Sequence, residues 1–348
     1  MRVAGTDPGT SSLDIVVLDD GQVHTERRWL PSELRADTSS VARFLESCGP
    51  LDLVAAPSGY GLPLVRVADL DPLQERLISF VRPDDIERAR GVEGLMKTLR
   101  SLKHSSIPAV VLPGGIHLPT ILAHRKTNRI DLGTPDKVCV AALALFQASC
   151  DLDGSLEQVN VLVVEIGSAF SGLLILAEGK IVDARSGSFG PIGLGGAGAL
   201  DGEFAYAASP LSKDDLFAGG VGHQWQADSV IRLRESLIQQ AAALTALTKV
   251  DRVVLQAHGV TDEAVRQQIE RDLEQFAPVS PLRELPGATL KHAAQGAAII
   301  ADGLAGGRFR ELVAHLKIER ASGSILDHLD HPASARIRAL FQNKDAEL

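Results

Sequence analysis

At 348 residues the chain is long enough for two domains with cores of their own, and an apolar fraction of 45% fits a globular protein. A formal charge of −9 with no dense basic stripe argues against nucleic acid as the main partner. Cys48, Cys139 and Cys150 show no C-x-x-C spacing and read as reduced, buried thiols. The polar turn at Asp7 interrupts any apolar signal segment, and no apolar run reaches roughly 18 residues, so a cytoplasmic protein with no membrane partner is expected.

Val3 to Asp20 reads as a hairpin. One short apolar strand enters an Asp-Pro-Gly-Thr-Ser-Ser turn, and a second, Leu13 to Leu18, leaves it toward an Asp-Asp-Gly reversal. Such a tip offers the N–H groups and hydroxyls of Gly9, Thr10 and Ser11 to phosphate, while the Asp7 carboxylate can hold a hydrated Mg²⁺. The same composition also marks ordinary turns. Gln22 to Trp29 continues as a third strand, and Ser39 to Cys48 has the cap and spacing of a helix. Leu51 to Ala56 is a short buried strand that delivers the loop Pro57 to Pro63. There Ser58, Gly59 and Tyr60 either contact an acceptor or simply connect elements.

Pro83 to His104 is helical in pattern, with Leu95, Leu99 and Leu102 on one face, and Ile107 to Leu112 is another buried strand. Thr134-Pro135 suits the cap and first residue of a helix running to Ala148. Its first turn holds Asp136 and Lys137, close in sequence to Arg125, Lys126 and Arg129, a group that suits a local anion. Asp136 is either a catalytic base or an acid favoured by the helix dipole. The polar stretch Asp151 to Gln158 divides the chain into domains 1–150 and 151–348.

Val161 to Gly179 repeats the first hairpin. Asp7 matches Glu165, Gly9 matches Gly167, Thr10 matches Ser168 and Gly21 matches Gly179, all at a spacing of 158 (165 − 7). Arg27 and Arg185 share that spacing. The chain therefore reads as two related halves, each with an acid-x-Gly-hydroxyl hairpin. Lys180 to Arg185 is the third strand of the second copy. The glycine-dense loop Ser186 to Leu200 reads as a flexible closure over a ligand, because so many glycines cost backbone entropy. Asp201, at a helix start, is a cap or a second acid facing the cleft. Gln224 to Leu247 is a long amphipathic helix, and Val253 to Gln256 a strand ending at His258-Gly259. A helix from Thr261 to Phe276, a strand from Val279 to Leu282 and a small-residue helix from Leu290 to Gly303 or Gly306 complete the pattern. In that last helix Ala293, Ala294, Gly296 and Ala297 either admit a flat ligand or pack closely on another helix. His328 and His331 read as a surface helix and not as a metal site.

With both hairpins, the His258-Gly259 loop and the Ala-Ala-Gln-Gly-Ala-Ala helix, the chain resembles the superfamily of acetate and sugar kinases, heat-shock chaperone ATPases and actin. The resemblance covers nearly the whole length. It implies an α/β fold of two ribonuclease-H-like domains, each a mixed five-stranded sheet flanked by helices, with ATP between them. It makes Asp7, Gly9, Thr10 and Ser11 the first phosphate loop and Glu165, Gly167 and Ser168 the second. His258 and Gly259 with Gln295, Gly296 and Ala297 would form the adenosine site. Within the superfamily the loops at Pro57, Arg125 and Gly198 look like those of predicted butyrate kinases. Gly133 to Lys137 also looks like the Gly-x-Asp-Arg/Lys motif of type III pantothenate kinases, where the Asp is the supposed base. Glu165 departs from the Asp that many relatives carry.

The resemblance leads to an ATP- and Mg²⁺-dependent kinase of a small-molecule acceptor, in first place a short carboxylate converted to an acyl phosphate. Asp7 and Glu165 would organise Mg²⁺, and Arg185, or Arg125 with Arg129, would neutralise the acceptor. An alcohol kinase with Asp136 or Asp201 as base is the rival, and a nucleotide-dependent switch is a third reading. The sequence leaves a homodimer open.

Overall fold

The computed structural model describes residues 1–9, 11–37, 39–86 and 90–342. In the first half β1 (Arg2–Pro8), β2 (Leu13–Asp19) and β3 (Gln22–Trp29) form an antiparallel meander. Helices α1 (Pro31–Ala36) and α2 (Ser40–Ser47) lead to β4 (Leu53–Ala56) and β5 (Val65–Arg66). Then come α3 (Pro72–Ser79), α4 (Arg90–Lys103), β6 (Ala109–Val111), α5 (Ala123–Lys126) and α6 (Pro135–Cys150). The strand order is β3-β2-β1-β4-β6-β5, with β4 and β6 parallel to β1. The resemblance implies five strands here. The sixth is β5, a two-residue antiparallel edge on β6, too short to carry a period in the sequence.

The second half repeats the plan. β7 (Val161–Ile166), β8 (Ser171–Ala177) and β9 (Lys180–Ser186) form the meander. After α7 (Gly202–Ala207) and α8 (Ala227–Thr245) come β10 (Arg252–Gln256), α9 (Glu263–Leu273) and β11 (Val279–Pro281). The small-residue helix is α10 (His292–Leu304), followed by α11 (Arg310–His315) and α12 (Ser334–Gln342). The order β11-β10-β7-β8-β9 is a five-stranded mixed sheet, as the resemblance implies.

The repeat extends to backbone detail. The β2–β3 and β8–β9 ladders slip at Val17/Leu18 and at Ile175/Leu176, again 158 apart (175 − 17). The turns that follow place Asp20 and Gly21 at φ 48 and 72, and Glu178 and Gly179 at φ 49 and 69. Two successive left-handed residues give the turn whose twist matches the flanking strands, and each glycine takes its position without strain.

The packing alternates sheets and helices. Val161 and Val163 of β7 face the core that also holds α6, α10 and the first sheet, while Leu162, Val164 and Ile166 face α8 and α9. Both sheets are thus covered on both sides, which is why β2 and β7 are apolar along most of their length. Between the sheets, α10 lies on β1 so closely that a Cβ on Gly5 would come within 2.0 Å of the Ala298 amide nitrogen. It lies equally close to α6, where a Cβ on Gly296 would sit 1.9 Å from the Cys139 carbonyl oxygen. No helix among the described residues is long and apolar enough to cross a membrane.

Two expectations change. The glycine-dense loop is a packed plate and not a loose closure: Gly195 and Gly196 donate to the Ala169 carbonyl, Gly220 to Gly195 and Val221 to Gly193. A Cβ on Gly193 would lie 2.2 Å from the Ala169 oxygen, so glycine serves close backbone contact there. His328 lies on a turn and His331 on a bend; the helix begins only at Ser334.

Candidate active site

The strand period aims the two hairpin acids at the helix layer. Asp7 shares a face with Val3 and Gly5 toward α10, and Glu165 shares one with Val161 and Val163 toward α6. Both acids line a cavity of about 220 Å³. Gly9 reaches it from the first tip, and Gly167 and Ser168 from the second. Thr134, Pro135, Asp136 and Lys137 bring the N-terminal end of α6, while Lys291, His292 and Ala293 bring that of α10. Two helix N-termini therefore open on one cavity, and their unpaired N–H groups and dipoles favour anions there.

Each acid is matched by a lysine from one of these helices. Lys137 Nζ stands 2.6 Å from Glu165 Oε2 and 2.9 Å from Asp136 Oδ2. Lys291 Nζ stands 3.4 Å from Asp7 Oδ2 and donates to the Ser12 carbonyl at 3.0 Å. Loss of water pushes both the Asp7 and Glu165 carboxyls up, Lys291 and Lys137 respectively pull them partly back, and the neighbouring acids add to the rise. Asp136 goes the other way: burial raises it, but Lys137 and the hydrogen bond from Thr134 together outweigh burial and hold it ionised. Lys137 is raised, since Asp136 and Glu165 together outweigh its own loss of water.

Tyr60, Asp131 and Lys213 also line the cavity. Asp131 accepts from the Gly133 N–H at 3.0 Å, and burial, reinforced by Asp136, pushes it up to about 6. Lys213 donates to Tyr60 Oη at 3.0 Å. His258 also faces the cavity, where loss of water and the Lys137 and Lys291 ammoniums push its imidazole down.

Of the residues singled out in the sequence, Asp7, Gly9, Ser58, Gly59, Tyr60, Asp136, Lys137, Glu165, Gly167, Ser168 and His258 line this one cavity. Ser58 does so with its hydroxyl committed, donating to the Ala56 carbonyl and accepting from the Leu112 N–H. Thr10 lies outside the described residues, and Ser11 is an exposed tip residue that does not line the cavity.

Other expectations are corrected. Asp201 caps α7, accepting from the Glu203 and Phe204 N–H groups at an exposed position away from the cavity. Gln295 holds the preceding loop, accepting from Leu285 N and donating to Leu290 O, while Gly296 and Ala297 seat α10 against α6 and β1. Close helix packing, one of the two readings of that stripe, is what the structure contains. Gly259 supports the second hairpin by donating to the Ile166 carbonyl. Arg125 donates to Val182 O and pairs with Asp183, while Arg129 and Arg185 stack on Phe189 at 3.7 and 4.5 Å. None of these three arginines lines the cavity.

Sequence reasoning missed Lys291, Asp131 and Lys213. Lys291 carried a signal: it opens the helix that stands in the second half where α6 stands in the first, and α6 carries Lys137. Asp131 and Lys213 carried none, because loops alone bring them to the cavity.

The donor chemistry fits Mg²⁺. Among the described residues no set of three acids, histidines or cysteines forms a cage. Mg²⁺ seldom needs one, being held by one or two carboxylates, water and substrate phosphates, and Asp7 and Glu165 supply hard oxygen ligands of that kind.

Residues 5–331 match the family described as "Protein of unknown function (DUF1464)". The chain belongs to that family. No curated protein matches the sequence. Among solved structures, acetate kinase from Porphyromonas gingivalis is similar at a TM-score of 0.56, with 13% identity over 85% of this chain and 98% of that one. A propionate kinase from Francisella tularensis gives 0.54, with 12% identity over 85% and 98%. Acetate kinase from Entamoeba histolytica gives 0.53, with 12% identity over 82% and 96%. This likeness is one of fold. The chain shares the two-domain α/β fold of these acetate and propionate kinases.

Proposed function

We propose that the protein is an ATP-dependent phosphotransferase that converts a small carboxylate to an acyl phosphate. The observation that carries this reading is convergence: two hairpin tips and two helix N-termini meet at one cavity, with each tip's acid set against a lysine. Phosphoryl transfer asks mainly for alignment and charge neutralisation, and this arrangement offers backbone donors, helix dipoles and two ammoniums to a polyphosphate. Asp7 and Glu165 are the residues that would hold Mg²⁺, which when bound neutralises phosphate charge. The acceptor oxygen attacks the γ-phosphorus as the bond from that phosphorus to the ADP oxygen breaks. A carboxylate with a pKa of about 4 is already ionised, so no proton moves and no base is required. The acid kinases of similar fold lend support to a carboxylate acceptor without deciding it.

The experiment is to give purified protein ATP, Mg²⁺ and panels of carboxylates and alcohols, trapping acyl phosphate as hydroxamate. Hydroxamate from one or more acids is the expected result. Asp136→Asn should then retain activity to within about tenfold, since general base catalysis, with a typical contribution of about 10²–10⁴, is not in use. ADP release on an alcohol with no hydroxamate from any acid would sink the proposal.

That second outcome has an observation in its favour. Asp131, raised to about 6, lies in the range of a working general base and could take an alcohol's proton. Nucleotide binding that no small acceptor turns into faster hydrolysis would favour the switch. Light scattering would decide between monomer and homodimer.

A further inference from the structure

Lys213 is the cavity's third ammonium and has no part in holding the hairpin acids. It is only 7% exposed. Its Nζ donates to Tyr60 Oη at 3.0 Å and stands 4.4 Å from the centre of the Tyr60 ring and 5.5 Å from that of Phe80. Its backbone N–H is held by the buried Asp85 carboxylate. Among the described residues no carboxylate forms an ion pair with the Nζ, and Tyr60 is its one hydrogen-bond partner. An ammonium has three donors, so two remain unspent in a place with little water, an arrangement that an anion completes. Burial, opposed by Asp131 and Asp85, brings the amine down to about 8, which leaves it mostly charged at neutral pH.

The surroundings define the anion. The Tyr60 shelf is rigid: Phe341 stacks on Phe80 at 4.4 Å, Phe80 meets Tyr60 at 5.3 Å, and Arg76 Nε donates to the Phe341 carbonyl at 3.2 Å. Ile78, Leu112, Leu216 and Phe217 add apolar wall to the same cavity. One cation among apolar walls suits one carboxylate with an apolar tail. A second carboxylate would lose its water there and be repelled by Asp131, which lines the same cavity. Asp131 feels both Lys213 and Lys137, so the ammonium shares the electrostatic surroundings of the α6 lysine that pairs with Glu165.

We propose that Lys213, held on the Tyr60–Phe80 shelf, binds the carboxylate of a monocarboxylic acceptor whose apolar tail lies against Ile78, Leu112, Leu216 and Phe217. The fate of that acceptor rests on the phosphotransfer reading; its binding does not.

The test compares wild type, Lys213→Met and Lys213→Arg with acetate, butyrate, hexanoate and succinate, measuring acceptor KM by ADP release and ATP affinity with a fluorescent nucleotide. Lys213→Met should raise KM for butyrate by about tenfold or more, the scale of one charge-assisted hydrogen bond, with ATP affinity unchanged. Lys213→Arg should recover most of the loss. An unchanged KM in a folded Lys213→Met protein overturns the assignment, and succinate bound as tightly as butyrate overturns the apolar-tail part of it. If no acid stimulates wild type, the phosphotransfer reading fails, and saturation-transfer NMR with butyrate then decides the subsite alone. Binding seen in wild type and lost in Lys213→Met upholds it, while no binding, or equal binding, overturns it. Should Lys213→Met fail to fold, Tyr60→Phe takes its place, where weaker butyrate binding supports the subsite and unaltered binding refutes it.

Discussion

The two hairpins are copies in register, yet each receives its helix differently. In the first, Gly5 lets α10 lie directly on the β1 backbone; the matching position in the second is Val163, a fully buried side chain that sets α6 off from β7. Across the strand from Asp7 stands Asp14, and across from Glu165 stands Gly172. Asp14 is itself held by Arg28 at 2.7 Å and accepts from the Lys291 N–H, so the first hairpin grips the start of α10 through an acid. Gly172 leaves room instead: a Cβ there would lie 3.4 Å from Lys137 Cε and 3.0 Å from Ser186 Oγ. The first copy anchors a helix by polar contact, and the second makes space for a lysine stem. A duplicated frame can thus hold the same charge pair with different means, because the two helices arrive at different depths.

The difference in depth is where the largest effect is expected. Gly5→Val drives a side chain into the backbone of α10 at Ala294, Ala297 and Ala298, none of which can yield, and should abolish the fold. Val163→Ala, at the matching position, only removes buried methyl groups and should cost about 2 kcal/mol by chemical denaturation. Equal losses at the two sites would remove the distinction.

The lysines come next. Lys137 is the counter-ion of the buried Glu165 and the half-buried Asp136, so Lys137→Met should destabilise by about 4 kcal/mol. Lys291 serves one acid at a longer distance, and Lys291→Met should cost about half as much. Thermal melts of both variants without nucleotide give the ranking.

Asp131 sharpens the contrast, since among the described residues no lysine forms an ion pair with it. Its folded pKa, about 6, lies above the ordinary 3.8, so the native state binds the proton more tightly than the unfolded chain. Ionised Asp131 therefore costs stability, fully so above pH 6, and the cost fades as pH falls from 6 toward 3.8. Asp131→Asn should stabilise by an amount on the order of 3 kcal/mol at pH 8, with the gain vanishing by about pH 4. Urea titrations across that range test it; a gain independent of pH would show that charge is not its cause.

The smallest change is expected at Gly172. Its neighbours are the flexible Lys137 stem and a serine hydroxyl, so Gly172→Ala should cost about 1 kcal/mol while displacing Lys137 from Glu165. A fall in ATP affinity without a comparable loss of stability would identify the space as functional.

Much of the site was legible because repetition makes weak signals strong. A turn such as Asp7 to Ser12 means little alone, but its copy at Glu165, in phase down to the bulge and the left-handed turn, marks both tips and the acids on them. The first-turn pair Asp136-Lys137 followed from the cap at Thr134-Pro135. The arginines misled because the nearness of Arg125 and Arg129 to Asp136 in sequence says nothing about which way a loop turns, and a shared spacing with Arg27 says nothing about where Arg185 points: Arg129 and Arg185 spend their faces on Phe189. The alanine and glycine stripe of α10 was ambiguous in principle, since small residues serve a flat ligand and a neighbouring backbone equally well.

By itself, then, the sequence determined the two halves, their meanders, the hairpin acids and the helices between the sheets, because period, turn chemistry and a constant spacing are properties of neighbours along the chain. Only the tertiary structure decided which lysine meets which acid, that both helix N-termini open on one cavity, and that Asp131 and Lys213 face it. Those pairings join residues as far apart as Asp7 and Lys291, and they depend on how closely one backbone approaches another, a matter fixed by packing at Gly5 and Gly296.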